Sequence, residues 1–339
     1  MTDPIFTTAA DPQDAGAADV PIVSARGLSL FVRDGRRRIR IVSDVTFDIA
    51  PGEFFALVGE SGSGKTMIAR ALMRLMPPRL LEIEGELSYR GESIPDLSEA
   101  RMRSLRGGAI SMVFQEPMTS LDPLMPIGRQ IEETLEIHSD LGRKARLDRI
   151  HELLAEVRFP DPTHVAQLYP HEMSGGMRQR AMIAMALANE PTLLIADEPT
   201  TALDVTIQRE VMEIMQRLQA RHRLSVLFIS HDLSLVNQYA ERVGVLYGGV
   251  LMEVGPKDRV IGSAAHPYTQ ALLDCVPRRR TDDTRRSGIG GSVPSPLNWS
   301  AGCRFRNRCP RANAACAGRD IALETFAPSH HVRCIRPGP

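Results

Sequence analysis

Apolar and polar residues alternate from Ile22 to Ile49 on either side of a basic turn, Asp34 to Arg38, which predicts antiparallel strands. Pro51-Gly52 then turns the chain into Phe54 to Val58, an unbroken apolar run that reads as a buried strand. Lys65 to Met76 has helical composition, and Pro77-Pro78 ends it. A second buried strand is expected at Ile110 to Phe114. From about Glu116 to Ala188 the pattern is mostly helical: Ile127, Ile131 and Leu135 recur every four residues, as do Ile150 and Leu154, with Val157 less regular. Two more apolar strands, Leu193 to Ala196 and Val226 to Ile229, flank the helix-like run Ile207 to Arg221. Strands that alternate with helices predict a mainly parallel sheet. Arg242 to Tyr247 and Val250 to Val254, joined at Gly248-Gly249, predict a hairpin added at its edge.

The pattern changes after about Val260, where Arg278 to Arg280, Arg285-Arg286 and a Gly/Ser/Pro stretch from Ser287 to Ser300 mark an expected linker. A chain of 339 residues holds one large domain or two, and no internal repeat appears, so a single copy of the central module is expected. Lys plus Arg and Asp plus Glu are both 41, and this zero net charge offers no electrostatic reason to bind nucleic acid. No apolar run approaches the roughly 18 to 20 residues of a membrane span. The first 20 residues, rich in Ala, Asp and Pro, lack the basic start and apolar stretch of a secretory signal. They read as a disordered tail on a cytosolic protein. Four of the five cysteines fall between Cys303 and Cys334, and in a reducing compartment such clustering points to a metal or a cluster.

The chemistry begins at Gly59, Glu60, Ser61, Gly62, Ser63, Gly64, Lys65 and Thr66, which fit the pattern G-x-x-x-x-G-K-[ST]. Small residues there let backbone N–H groups wrap phosphates at a helix N-terminus. Lys65 would neutralise β- and γ-phosphate charge, and the Thr66 hydroxyl would bind Mg²⁺. An ordinary glycine-rich turn is the alternative, but the order strand, loop, helix favours the phosphate site. Leu193 to Glu198 ends an apolar strand in two acids: Asp197 would hold the metal directly or through water, and Glu198 is the candidate general base for an attacking water. The plainer reading is that the pair caps the next helix. Ser174-Gly175-Gly176 precedes another apolar helix, a second backbone anion site of the same physical kind.

At Met173 to Arg180 the sequence resembles the signature of the ABC ATPases, in which two such domains sandwich ATP head-to-tail, the signature of one facing the phosphate loop of the other. Met173 stands where leucine is commoner, and Met177 where many members have glutamine. The resemblance implies an α/β fold with a RecA-like P-loop NTPase core, an antiparallel β subdomain and an α-helical subdomain. It also implies roles for Gln115 at the γ-phosphate and metal, for Asp204 at the dimer seam, for His231 as a switch at the γ-phosphate, and for Phe31, or by register Val32, as an adenine contact. Tyr169 to Glu172, His266 to Leu273, Pro294 to Asn298, Gly302 to Phe305 and Cys309-Pro310 resemble the oligopeptide, dipeptide and nickel importer branch.

On that resemblance, residues 1–20 are a tail, 21–260 the nucleotide-binding domain and 261–339 a C-terminal extension. The implied function is ATP hydrolysis coupled to uptake of di- or oligopeptides. The implied partners are two transmembrane permease subunits, a second ABC ATPase and, indirectly, an extracytoplasmic substrate-binding protein, with no nucleic acid, at the cytoplasmic face of the membrane. Cys303, Cys309, Cys316 and Cys334 follow no standard zinc or ferredoxin spacing. Four thiolates suffice for a [4Fe–4S] cluster, which the resemblance favours, or for Zn²⁺, and free thiols are the third reading. Cys275, beside Leu272-Leu273, is expected in packed core. A soluble ABC ATPase of translation or DNA repair is the alternative function, disfavoured by the single module and zero charge, and an exporter ATPase is a third.

Overall fold

The expected antiparallel pair consists of β1 (Val23–Asp34) and β2 (Arg37–Ile49), with Asp34 opposite Arg37. After β3 (Phe54–Val58) the chain loops into α1 (Lys65–Leu72), and β4 (Leu81–Tyr89) returns to pair with β1, carrying β5 (Glu92–Ser93) on its far side. Nothing in the pattern predicts β4. Its centre, Glu84 to Glu86, is exposed, and Glu82 near its start receives Arg38 at 3.0 and 2.9 Å across the sheet, so the strand lacks the alternation that marks a half-buried one. The computed structural model of the chain describes residues 20–115, 120–201, 203–276, 289–299, 301–318 and 320–338. The expected tail up to residue 19, the arginines of 278–286, Ser287 and Ser300 lie outside the described residues.

The chain continues through α2 (Glu99–Leu105), β6 (Ile110–Val113), α3 (Ile127–His138), α4 (Arg143–Glu156), α5 (Pro162–Gln167), α6 (Gly175–Ala186), β7 (Leu193–Asp197), α7 (Val205–His222) and β8 (Ser225–Ser230). It ends in α8 (Leu233–Tyr239), β9 (Arg242–Tyr247), β10 (Val250–Pro256), α9 (Lys257–Val260), α10 (Pro267–Asp274), β11 (Glu324–Ala327) and β12 (His330–Val332). The large sheet has the order β11-β12-β10-β9-β3-β8-β7-β6, with β9, β3, β8, β7 and β6 mutually parallel. Its central strands are apolar throughout because both faces are covered. Phe54, Ala56 and Val58 enter one core with Ile127, Ile131, Leu135, Ile150 and Leu154 of the helical region, while Phe55 and Leu57 enter the other with β1, β2 and α1.

The hairpin of β9 and β10 is not the edge, because β12 pairs with β10 and β11 with β12, so the C-terminal extension prolongs the sheet. Glu253 on β10 is fully buried and accepts from Ala265 N (2.8 Å), His266 N (3.0 Å) and His330 Nε2 (2.7 Å), which ties the extension in at three points. His266 is itself buried, and that burial, with Arg311 nearby, pushes its imidazole down to about 3. It is therefore a neutral acceptor, receiving Tyr268 N at 3.0 Å as the cap of α10. At the other end of that helix Cys275 departs from expectation: it is exposed, since α10 turns Leu273 and Tyr268 inward and closes on Cys275 at its rim.

Candidate functional site

Parallel strands place their carboxyl ends side by side, and in this sheet β3, β8, β7 and β6 are consecutive neighbours. Val58 pairs with Ser230, Ile229 with Asp197, and Val113 with Ala196, so the residues that follow each strand meet in one crevice. The loop Gly59 to Thr66 leaves β3, His231 follows β8, Asp197 and Glu198 end β7, and Gln115 follows β6. They line a cavity of about 960 Å³, Asp197 facing an adjoining one shared with Thr66 and Gln115.

The loop's conformation needs its glycines. At Gly59 (φ 154°) a Cβ would stand 2.0 Å from Leu246 O, and Gly64 caps α1 in the left-handed region at φ 103°. Lys65 is 5 % exposed and its Nζ donates to Gly59 O (2.7 Å) and Glu60 O (3.1 Å). Burial lowers its pKa, against the opposing pull of Glu198, Asp197 and Glu60. Thr66 Oγ1 donates to Asp197 Oδ1 at 3.1 Å, so a hydroxyl and a carboxylate already share the place where a hard cation would take oxygen ligands. Burial raises the Asp197 carboxyl, which the Thr66 bond and the Lys65 charge partly reverse. Neighbouring Glu198 adopts a left-handed backbone (φ 48°), a strained conformation that turns its side chain into the crevice. Its Oε2 accepts from Gln115 Nε2 (3.2 Å) and Thr201 Oγ1 (3.0 Å), and His231 Nδ1 stands 3.2 Å away. Thr201, three residues past Glu198, was not foreseen, although that spacing on a turn was available to suggest it.

Not every expected residue reaches this cavity. Phe31 is 3 % exposed, with the Arg38 guanidinium 3.4 Å over its ring and Arg40 at 5.0 Å, and it does not line the cavity; Ile41 of β2 does. The two arginines crowd that stretch of the β1–β2 hairpin and close the ring off. Ser174 caps α6 by accepting Met177 N at 3.3 Å, and Gly175 and Gly176 open that helix. A Cβ on Gly176 would meet Ile207 at 2.6 Å, so glycine lets α6 and α7 approach. Asp204 caps α7, accepting Ile207 N at 3.0 Å. None of these four lines the cavity of Lys65.

Cys303, Cys309, Cys316 and Cys334 come together around one small cavity flanked by Arg306, Arg311 and Arg336. All are free thiols. Burial pushes Cys303 up to about 11 and also raises Cys309 and Cys334. Among the described residues, no group of three or more His, Cys, Asp or Glu is arranged to hold a metal ion. The four cysteines are thus gathered around one cavity, but the structure does not bear out a formed cluster site. Nor, among the described residues, is any helix long and apolar enough to cross a membrane.

ABC transporter sequences match residues 42–201, and the oligopeptide/dipeptide transporter C-terminal region matches residues 252–316. A Brucella abortus protein is 47% identical over 87% of this chain and 89% of its own length, and a Brucella ovis protein 45% over 93% and 97%; both carry the name "Putative peptide import ATP-binding protein". Among solved structures, a dimeric ATP-binding cassette in a post-hydrolysis state, bound to ADP and Pi, superposes with a TM-score of 0.61 at 28% identity, covering 69% of this chain and 98% of that one. A cassette from Clostridium perfringens, part of an ABC transporter complex, shares the fold with a TM-score of 0.63 at 22% identity over 72% of this chain and 92% of its own. With the phosphate loop, the paired acids and the C-terminal region in place, the chain belongs to the ABC transporter family as an ATP-hydrolysing cassette that carries the oligopeptide/dipeptide transporter C-terminal region.

Proposed function

We propose that the chain drives import of di- or oligopeptides, as the ATPase subunit on the cytoplasmic face of the membrane. The observation that carries this is the convergence of Lys65, Thr66, Asp197, Glu198, Gln115 and His231 at the ends of four adjacent strands, in a chain that also bears the transporter C-terminal region. The loop Gly59 to Thr66 wraps the phosphates, and Lys65 neutralises their charge. Thr66, Asp197 and Gln115 hold Mg²⁺, whose contribution when bound is to neutralise developing charge on the phosphate oxygens. Glu198, oriented by Gln115 and Thr201, takes a proton from the attacking water, and His231 contacts the γ-phosphate from the neighbouring strand.

Ser174, Gly175, Gly176 and Asp204 lie outside this cavity, which supports their use in trans: they complete the site of a second ABC ATPase, which completes this one. Two transmembrane permease subunits and an external substrate-binding protein make up the rest of the assembly. Residues 21–260 act as the nucleotide-binding domain and 261–339 as the extension. In vesicles that contain the whole assembly with ATP inside, labelled di- and oligopeptides are expected to accumulate, and to do so only with ATP. Peptide entry that ignores ATP, or ATP turnover that ignores the external binding protein and its peptide, contradicts the reading.

The extension's four thiols supply the donor set of a [4Fe–4S] cluster, with Zn²⁺ as the alternative occupant, and three arginines beside them favour an anionic group. Anaerobically purified protein is expected to show a broad absorbance near about 400 nm, lost on Cys303→Ser. Zinc without that band replaces the cluster, and protein with neither metal removes the proposal.

A further inference from the structure

The Gly/Ser/Pro stretch that reads as a linker forms a wall of the nucleotide cavity. Ser292, Val293 and Pro296 line it together with the phosphate loop. Both ends of this strap are tied to that loop. At the front, Arg308 (side chain 6 % exposed) forks both carboxylate oxygens of Glu60 at 2.6 and 2.9 Å, while its Nε donates to Gly290 O (2.7 Å) and Nη2 to Ile289 O (3.1 Å). At the back, Trp299 Nε1 donates to Pro294 O (3.2 Å), the Arg304 guanidinium lies 3.5 Å over the indole, and the ring abuts Gly249, where a Cβ would come within 2.5 Å of it. Gly249 N in turn donates to Ser63 O at 2.9 Å. Between the anchors, Pro294 and the Pro296–Asn298 turn, capped by Ser295, restrict the backbone before any ligand arrives.

The chemistry of the lining divides in two. Glu60 to Thr66, Glu198, Thr201 and His231 present N–H groups, hydroxyls and charge, suited to phosphates. The apolar side chains are Ile41, Met67, Val293 and Pro296. A nucleobase needs apolar contact on its faces, and Phe31 is closed off beneath Arg38. We propose that Val293 and Pro296 of the C-terminal extension, together with Ile41, form the cleft for the nucleobase, so that one chain binds the base with its far end and the phosphates with its glycine loop. This rests on the reading of the cavity as the ATP site.

The test is equilibrium binding of MgATP and of inorganic triphosphate to the full chain, for wild type, for Val293→Ser combined with Pro296→Gly, and for Lys65→Ala. The strap variant is expected to lose about tenfold in MgATP affinity while its triphosphate affinity stays within about twofold, because the base contact and the strap's preorganisation are lost and the phosphate contacts are kept. Lys65→Ala is expected to weaken both ligands. A strap variant that binds MgATP as wild type does, or that loses both ligands equally, overturns the proposal while Lys65→Ala still supports the ATP site. If Lys65→Ala leaves both affinities unchanged, the ATP site itself is misplaced. Val293 also packs against the main core, so a melting curve that shows the strap variant still folded at the binding temperature separates lost contact from lost fold.

Discussion

Replacing Glu198 by Gln is expected to lower ATP turnover by about 10²–10⁴-fold while leaving MgATP bound, the range assigned to a positioned general base. The amide keeps the shape and can still meet Gln115 and Thr201, which now bond Oε2 at 3.2 and 3.0 Å, but it cannot accept a proton from water. It also removes a negative charge from a crevice that holds Asp197, so affinity for a polyanion should hold or rise. Phosphate release by the assembled transporter checks the first part, and a binding isotherm of the isolated chain checks the second. Turnover at the wild-type rate would move the base elsewhere in the crevice.

Lys65→Ala is expected to act earlier, on binding, with turnover down by about 10²–10³-fold as for loss of one charge-stabilising donor in a dry site. Lys65 is buried among carboxylates and pays for its own desolvation poorly: its pKa is already lowered, and its three donors are spent on loop oxygens and Ser63. Phosphates replace those contacts with full opposite charge, which is where its binding free energy originates. Removing it leaves the backbone of Gly59 to Gly64 as the sole cradle in that loop. Lys65 is also buried and bonded to Gly59 O and Glu60 O, so a melting curve is needed to separate lost phosphate contact from a loosened loop.

The central strands and the site at their ends were legible because both are local. Phe54 to Val58, Leu193 to Ala196 and Val226 to Ile229 are continuous apolar runs, and each is followed within two residues by functional residues. What brings those residues together is strand order, which no short window contains; the resemblance carried that step. Other features were hidden for physical reasons. An acidic outer face masked β4, pairing across some eighty residues made β12 part of the sheet, and Arg308 meets Glu60 across 248 positions. Residues 289–299 have the composition of a linker, yet their order comes from Arg308, which donates to Gly290 O, from Trp299, which donates to Pro294 O, and from Arg304, which lies over Trp299 and reaches Gly248 O. Nearer contacts closed Phe31 beneath Arg38 across the β1–β2 hairpin and left Cys275 at the exposed end of α10.

The most direct test of the account is the nucleotide recovered from the assembled transporter after incubation with MgATP and rapid removal of the excess. Wild type is expected to yield mainly ADP, Glu198→Gln an equivalent amount of intact ATP, and Lys65→Ala almost none. Intact ATP on Lys65→Ala, or ADP on Glu198→Gln at the wild-type level, would contradict the assignment of this crevice as the hydrolytic site.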